Sequence, residues 1–417
     1  MTVKYRQRTT CRLCNNDKLA AVLHLPPTPL ANSFMKTREE SVALEKFPLD
    51  VNCCERCGHH QLGTVVDPKL MFQNYAYASG TAQSFRQHFK EYAEEIVRRF
   101  PDTNSFLEVG SNDGTMLHAM YNAAKCSRSA EVFGVEPAEN LVKQCLKEGL
   151  NVSHGFFSEK LVNERRLFNM DFWTANNVLA HINDFVGTLN ALALTGAKAG
   201  AFEVQYLGSL LDGGMFDMTY HEHVSYWRAT ELVNHLHEHT PWAVVDIELV
   251  PTHGGSLRVW VERSGEVPTR PHLHPDFRVY HFIETESRRD WAMSWGVLKE
   301  KMDAERERLR SLLEGKRVVI YGAPAKLTTL LYGLGLNKGV DFAYVVDDSP
   351  LKQGLFTPGT GLPVVGVDHL KRHAKGGGTV DTVLVGAWNF AEGIVMRLRE
   401  MGFEHNQIVV PFEQAEK

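Results

Sequence analysis

The order of apolar and polar positions along this chain changes period several times, and each change marks an element. Residues 86–99 place apolar side chains three and four apart, which predicts a helix ended by Pro101. SFLEVGSNDGTMLHAM then reads as a short apolar strand, a turn holding Gly110 and Gly114, and the start of a helix. AEVFGVEP is a second strand closing on an acid, Glu136. DFWTANNVLAHIND is a further strand of the same sheet that runs into a polar loop, and HGGSLRVWV is a glycine turn feeding a strand. Residues 286–313 form a charged amphipathic stretch, expected as one connecting helix with a solvated face. KRVVIYGAPAKLTTLLYGLGL repeats the order strand, turn, helix, and FAYVVDDSP and DTVLVGAWN add two strands ending in polar residues. Strands alternating with helices predict parallel sheets, so the fold class is α/β, with a second α/β unit at the C-terminal end.

Composition narrows this picture. The chain has 417 residues; at roughly 150 residues per domain, two or three domains are expected. Hydrophobic residues make up 43% and charged residues 23%, which excludes a disordered chain and supplies apolar surface for several cores. The net charge of −5 provides no basic field, so nucleic acid is a poor partner. No run of 18 apolar residues occurs, so no membrane span is expected. The opening MTVKYRQRTTCRLC lacks the apolar stretch of a secretory signal, and a cytoplasmic, reducing location is expected.

The seven cysteines are an odd number and include two CxxC pairs, which argues against a disulfide framework. Cys11 with Cys14 and Cys54 with Cys57 offer two knuckles, each able to place two thiolates on one tetrahedral zinc ion. Four thiolates leave no open position, so such a zinc is structural. The segment between the pairs, which includes PPTPLANSFMKTREE, must loop out. A redox pair or a metal-free fold stays open, as does Cys53 replacing Cys54 in a C-x3-C knuckle. Cys126 and Cys145 lie in helical patterns as core residues.

Two places carry candidate chemistry. In the first, Gly110 lets backbone approach a ligand, the helix after Gly114 presents its N-terminus, and Glu136 stands where an acid accepts both hydroxyls of a ribose. GxGxxG is missing, and E-x-G-x-x-x-G followed by this acid resembles a site for S-adenosylmethionine. Asn176, Asn177 and His181 belong to the carboxyl edge of the same sheet, where α/β ligands bind. The second place is the run Tyr220, His221, Glu222, His223. Histidines at i and i+2 share one face of a strand, so zinc on that pair is conceivable, but no third ligand is evident. An imidazole base held by neighbouring partners fits the run better, and a polar loop without chemistry stays open. In the C-terminal unit, Lys326 and Lys352 could meet a pyrophosphate as point charges, or be ordinary surface lysines.

Taken in order, CRLC, PLANSF, CERCG, NYAYASG, LEVGSNDGTML, VLAHIND, YHEHVSYW, HGGSLR, YGAPAK, VVDDSPLKQGLFTPGTGLPV and AWN resemble one family nearly end to end. It is the S-adenosylmethionine-dependent C-methyltransferases of nucleotide-linked deoxysugars. The resemblance implies three domains: a zinc-binding module at residues 1–70, a class I, Rossmann-like methyltransferase core at 71–300, and an α/β domain at 301–417 that helps bind the sugar nucleotide. It places zinc on Cys11, Cys14, Cys54 and Cys57, and the cofactor at Glu108, Gly110, Asn112, Gly114, Glu136 and Asn177. It places the active site at Tyr77, His181, Tyr220, Glu222 and His223, with His223 as general base. The expected acceptor is a 4-keto sugar linked to dTDP or another nucleoside diphosphate, methylated at C3′ through an enolate by an enzyme able to act as a monomer. Methylation at C5′, another activated ketone, or a nucleotide-sugar-binding protein with a decayed site remain alternatives.

Overall fold

The architecture was obtained as a computed structural model, which describes residues 4–72, 75, 80, 83–125, 130–264, 277–376 and 380–412. The first part contains β1 (Tyr5–Gln7), β2 (Leu19–Thr28), α1 (Arg38–Val42), β3 (Phe47–Cys54), β4 (His60–Leu62), β5 (Thr64–Val66) and α2 (Pro68–Phe72). Next come α3 (Gln83–Arg99), β6 (Ser105–Val109), α4 (Thr115–Lys125), β7 (Glu131–Glu136), α5 (Glu139–Lys147) and β8 (Asn151–His154). They are followed by α6 (Glu159–Arg165), β9 (Phe172–Asn176), α7 (Phe185–Leu194), β10 (Ala199–Gln205), α8 (Leu207–Asp212), β11 (Ser225–Tyr226), α9 (Ala229–His239), β12 (Trp242–Val250) and β13 (Ser256–Arg263). The last part holds α10 (Phe277–Ser287), α11 (Trp291–Leu313), β14 (Arg317–Tyr321), α12 (Lys326–Gly333), β15 (Asp341–Val346), β16 (Val364–Val365), α13 (Val367–Gly376), β17 (Thr382–Val385), α14 (Ala391–Glu400) and β18 (Ile408–Val409).

The central sheet has the order β12-β13-β10-β9-β6-β7-β8. Only β13 runs against its neighbours. This is the class I methyltransferase arrangement that the family resemblance implied, built on the α/β alternation that the pattern predicts. Its inner strands β6, β9 and β10 are almost wholly buried, as expected of strands covered by helices on each side. The order reverses between β6 and β9, and the turns after both strands open onto one crevice. A second sheet, β16-β15-β14-β17-β18, is wholly parallel.

One feature departs from the sequence reading. Residues 286–313 are not one helix. Asp290 accepts the Met293 amide at 2.9 Å and caps α11, which breaks the chain from α10. The new helix then runs through residue 300 and buries Trp295, Leu298, Met302, Leu309 and Leu313. The run Tyr220–His223 forms a turn, with the His223 amide on the Tyr220 carbonyl at 2.9 Å, so its two histidines do not share a face as they would on a strand.

The chain directly after that turn leaves the central sheet altogether. β11 pairs antiparallel with β4, completing a four-stranded sheet β11-β4-β3-β2. The Leu62 amide donates to the Val224 carbonyl at 3.1 Å, and the Val224 amide donates to the Ala180 carbonyl at 2.9 Å. One apolar cluster joins Cys11, Leu13 and Cys54 to Trp173, Leu189 and Trp227. Another joins Leu23, Leu49 and Leu62 to Phe216, Leu298, Leu330 and Ile320. All three parts of the chain therefore share buried surface around residues 216–227.

Candidate functional site

Four sulfur atoms meet at the first knuckles. Cys11 Sγ is 3.6 Å from Cys57 Sγ, Cys14 Sγ is 3.6 Å from Cys54 Sγ, and the four lie within 4.8 Å of one another. A tetrahedral ion with bonds of about 2.3 Å needs sulfurs about 3.8 Å apart, so the donor set fits zinc. The Leu13 amide points at Cys11 Sγ at 3.4 Å and Asn16 Nδ2 at Cys54 Sγ at 3.6 Å, as donors to thiolates do. Cys53 faces the other side of β3, 3.9 Å from the Gly58 carbonyl, and burial pushes its thiol up to about 11. Cys54, not Cys53, completes the set. Cys145 is a buried residue of α5, and Cys126 lies outside the described residues.

The crevice at the carboxyl edge of the central sheet is a cavity of about 740 Å³. One end is built by the turn after β6. Gly110 has φ 71°, and a Cβ there would meet Val178 Cγ2 at 2.4 Å. Asn112 is also left-handed, at φ 49°. Glu136 accepts the Asn112 amide at 2.9 Å on one oxygen and the Ala138 amide at 2.8 Å on the other, and each oxygen keeps a lone pair for a hydroxyl. Burial pushes the Glu136 carboxyl up, and Glu108 well up, the latter reinforced by Asp113 and Glu136; Asn176 Nδ2 donates to Glu108 at 3.4 Å. Glu108 Oε2 is buried without a hydrogen-bond partner among the described residues. Three carboxyls and an orphaned acceptor suit a cationic ligand, and S-adenosylmethionine carries a sulfonium and an ammonium. Asn177 lines the same end at φ 57°, its amide on the Glu203 carbonyl at 2.9 Å. Gly114 does not reach the cavity; its missing side chain makes room for Leu150 and Cys145.

The other end holds the imidazoles. His223 Nδ1 sits 2.9 Å from the Met218 carbonyl, so Nδ1 carries the proton. His223 Nε2 is then an acceptor, and the Tyr220 hydroxyl donates to it at 2.8 Å. Burial lowers His223 to about 4, which keeps the ring neutral at physiological pH. His181 lies with its ring centroid 5.0 Å from that of His223, stacked on Phe72 at 5.7 Å, and its Nε2 has no hydrogen-bond partner among the described residues. Burial, then His223 and His253, hold His181 well below the usual range. His221 points away, its Nε2–H donating to the Pro48 carbonyl at 3.2 Å, so a turn sends the two histidines to different surroundings. Glu222 turns from the cavity wall to accept from Asn32 Nδ2 at 2.7 Å and the Tyr75 hydroxyl at 2.6 Å; burial raises it to about 7. Tyr77 lies outside the described residues.

Lys326 lines the cavity, whereas Lys352 does not. Lys352 Nζ donates to the Ala323 carbonyl at 2.9 Å and stands 3.6 Å from Asp347, so it braces the turn before α12. Further residues on the wall escaped individual notice in the sequence: Asn32, Tyr75, Asp113, Gln205, His253 and Asn389. Most lie inside the segments PLANSF, NYAYASG, LEVGSNDGTML, HGGSLR and AWN, which are the signal that marks them. Gln205 has no such signal, yet both its amide atoms are buried without hydrogen-bond partners among the described residues. Deeper in, Glu203 is fully buried between His88 at 2.9 Å and Arg258 at 2.7 Å.

Comparison with known proteins agrees with this construction. Residues 11–72 match a zinc binding domain model, residues 83–240 a methyltransferase domain, and residues 251–412 a C-methyltransferase C-terminal domain. C-methyltransferase NovU of Streptomyces niveus is 29% identical, covering 97% of this chain and 95% of its own length. Among solved structures, magnesium protoporphyrin IX methyltransferase of Synechocystis PCC 6803 is 12% identical, with a TM-score of 0.35 over 43% of this chain and 83% of its own. A SAM dependent methyltransferase from Aquifex aeolicus is 14% identical, with a TM-score of 0.30 over 42% of this chain and 97% of its own. With a cysteine cluster fitted for zinc, a class I sheet and all three matched segments in one order, the chain is an S-adenosylmethionine-dependent methyltransferase that is similar along its length to a C-methyltransferase.

Proposed function

We propose that this enzyme methylates a carbon beside the ketone of a nucleotide-linked 4-keto-deoxysugar, at C3′, through an enolate formed by His223. One observation carries the reading. A neutral imidazole, its Nδ1–H fixed by the Met218 carbonyl, presents its accepting nitrogen beside a tyrosine hydroxyl in a cavity shared with the cofactor loop. The carbon next to a ketone is acidified, and its proton can pass to His223 Nε2 while the bonding pair moves into the enolate. The Met218 carbonyl then stabilises the imidazolium. The Tyr220 hydroxyl, no longer accepted by Nε2, donates to the enolate oxygen; His181 and Tyr77 are the further donors this reading provides. When bound, S-adenosylmethionine supplies the methyl group as an electrophile.

In the same reading Glu136 and Asn177 hold the cofactor, and Glu222 positions Asn32 and Tyr75 rather than moving protons. The bound nucleotide is dTDP or another nucleoside diphosphate, and the setting is branched-chain deoxysugar biosynthesis in the cytoplasm. No helix among the described residues is long and apolar enough to cross a membrane. The test is a screen of 3-deoxy-type 4-keto sugar nucleotides with S-adenosylmethionine. A mass gain of one methyl, placed on C3′ by NMR, is the expected result; a methyl on C5′, or none on any such sugar, overturns the reading.

A further inference from the structure

Lys326 is the first residue of α12 and is only 5% exposed. Its Nζ is buried and has no hydrogen-bond partner among the described residues. The ammonium rests instead on the face of Trp388, 3.2 Å from the ring centroid. Trp388 is held in turn, because its indole N–H donates to Asp217 Oδ2 at 2.6 Å. A carboxylate on that N–H enriches the ring face, which strengthens the seat for a cation. A π face still leaves the ammonium's three N–H donors short of acceptors, a costly state for a buried charge. Burial accordingly lowers Lys326 to about 7, against the pull of Asp217.

A second feature converges on the same spot. Pro324 and Ala325 line the cavity beside Lys326, so the N-terminal end of an eight-residue helix faces it. The first amides of a helix have no partners within it, and that end carries partial positive charge. The turn is rigid: Asp347 accepts the Ala323 amide at 2.7 Å, while Lys352 donates to the Ala323 carbonyl. An unpaired buried ammonium and a helix N-terminus on one wall recognise phosphate oxygens.

We propose that the start of α12 is a phosphate subsite in which Lys326 pairs with an oxygen of the acceptor's diphosphate. This rests on the reading of the acceptor as nucleotide-linked, and it gives the C-terminal domain a defined part in holding it. Trp388 positions the ammonium until the anion arrives.

The test is calorimetric titration of thymidine diphosphate and of inorganic pyrophosphate into the wild type, Lys326→Met and Lys326→Arg, with S-adenosylhomocysteine binding as the check on folding. Wild type binds both phosphates; K326M loses about tenfold or more in affinity, K326R recovers most of it, and S-adenosylhomocysteine binds all three alike. With acceptor, KM rises about tenfold in K326M while kcat changes far less. Unchanged diphosphate affinity in K326M overturns the subsite. A kcat loss with diphosphate binding intact also overturns it, moving Lys326 to the reacting carbon. Should K326M fail to bind S-adenosylhomocysteine, the wild type and K326R decide, since absence of diphosphate binding in the wild type is itself fatal. A wild type that methylates no 4-keto sugar nucleotide yet binds thymidine diphosphate through Lys326 would sink the acceptor reading and leave the subsite standing.

Discussion

The Glu222 carboxylate accepts the Asn32 amide at 2.7 Å, joining residues 190 positions apart. Its other oxygen accepts the Tyr75 hydroxyl, and both donors line the cavity. Glu222→Gln keeps the shape but turns one acceptor into a donor, so one buried bond is lost. A hydrogen bond to a charged group contributes about 1.5–3 kcal/mol, and chemical denaturation should register a loss of that order. Methyl transfer should fall with it while S-adenosylhomocysteine affinity holds. A variant with full stability and full turnover would show that this clamp has no part in shaping the site.

His223→Asn removes the accepting nitrogen and retains a side chain of similar polarity. Methyl transfer is expected to drop about a hundredfold or more. Cofactor affinity should stay within about twofold, because the cofactor loop lies at the other end of the cavity. Turnover near the wild-type rate would remove His223 from the role of base.

Cys54→Ser and Cys53→Ser separate ligand from bystander. Elemental analysis of the wild type should find one zinc per chain; the first substitution should abolish it and the second should leave it. Because β4 carries β11, loss of zinc should also lower the melting temperature of the whole chain. Equal zinc in both variants contradicts the Cys54 assignment.

His221 is buried, donates to the Pro48 carbonyl, and is held down to about 4 against an ordinary value near 6.5. Below pH 6.5 the unfolded chain takes up a proton that the folded chain refuses. The stability tied to neutral His221 is therefore complete above 6.5 and is lost as pH falls through 4, by up to about 3 kcal/mol. His221→Gln has no such group. The stability gap between wild type and variant should thus be widest near pH 7 and close towards pH 4; a gap independent of pH contradicts the assignment.

Gly110→Ala places a Cβ at φ 71°, against Val178. A destabilisation of at least about 1 kcal/mol is expected, together with weaker S-adenosylhomocysteine binding in titration. Wild-type affinity in this variant would mean that the turn relaxes without disturbing the cofactor end.

Much of this molecule is legible in its order of residues, because the relevant signals are local. Alternation of apolar strands with helices specifies a parallel sheet within a few residues of each element, and the glycines at 110 and 114 mark the turn between β6 and α4. CxxC spacing brings two sulfurs together wherever it occurs, although only the β3 backbone shows that Cys54 faces inward and Cys53 outward.

The rest depended on contacts between distant segments. A two-residue strand has no period to detect, so the pairing of β11 with β4 was invisible, and with it the reason why residues 220–223 sit where three parts of the chain meet. The neighbouring histidines 221 and 223 read alike in sequence, and a turn sends one to a structural carbonyl and the other to the cavity. Lysines 326 and 352 also read alike, yet burial leaves one without a hydrogen-bond partner among the described residues and ties the other to a turn. The sequence by itself determined the α/β class, the cysteine cluster and the place of the glycine turn after β6, because backbone pattern and short-range spacing carry them. The tertiary structure alone decided which imidazole turns its accepting nitrogen to the cavity and which ammonium lines it, because burial and partnership are properties of residues far apart in the chain.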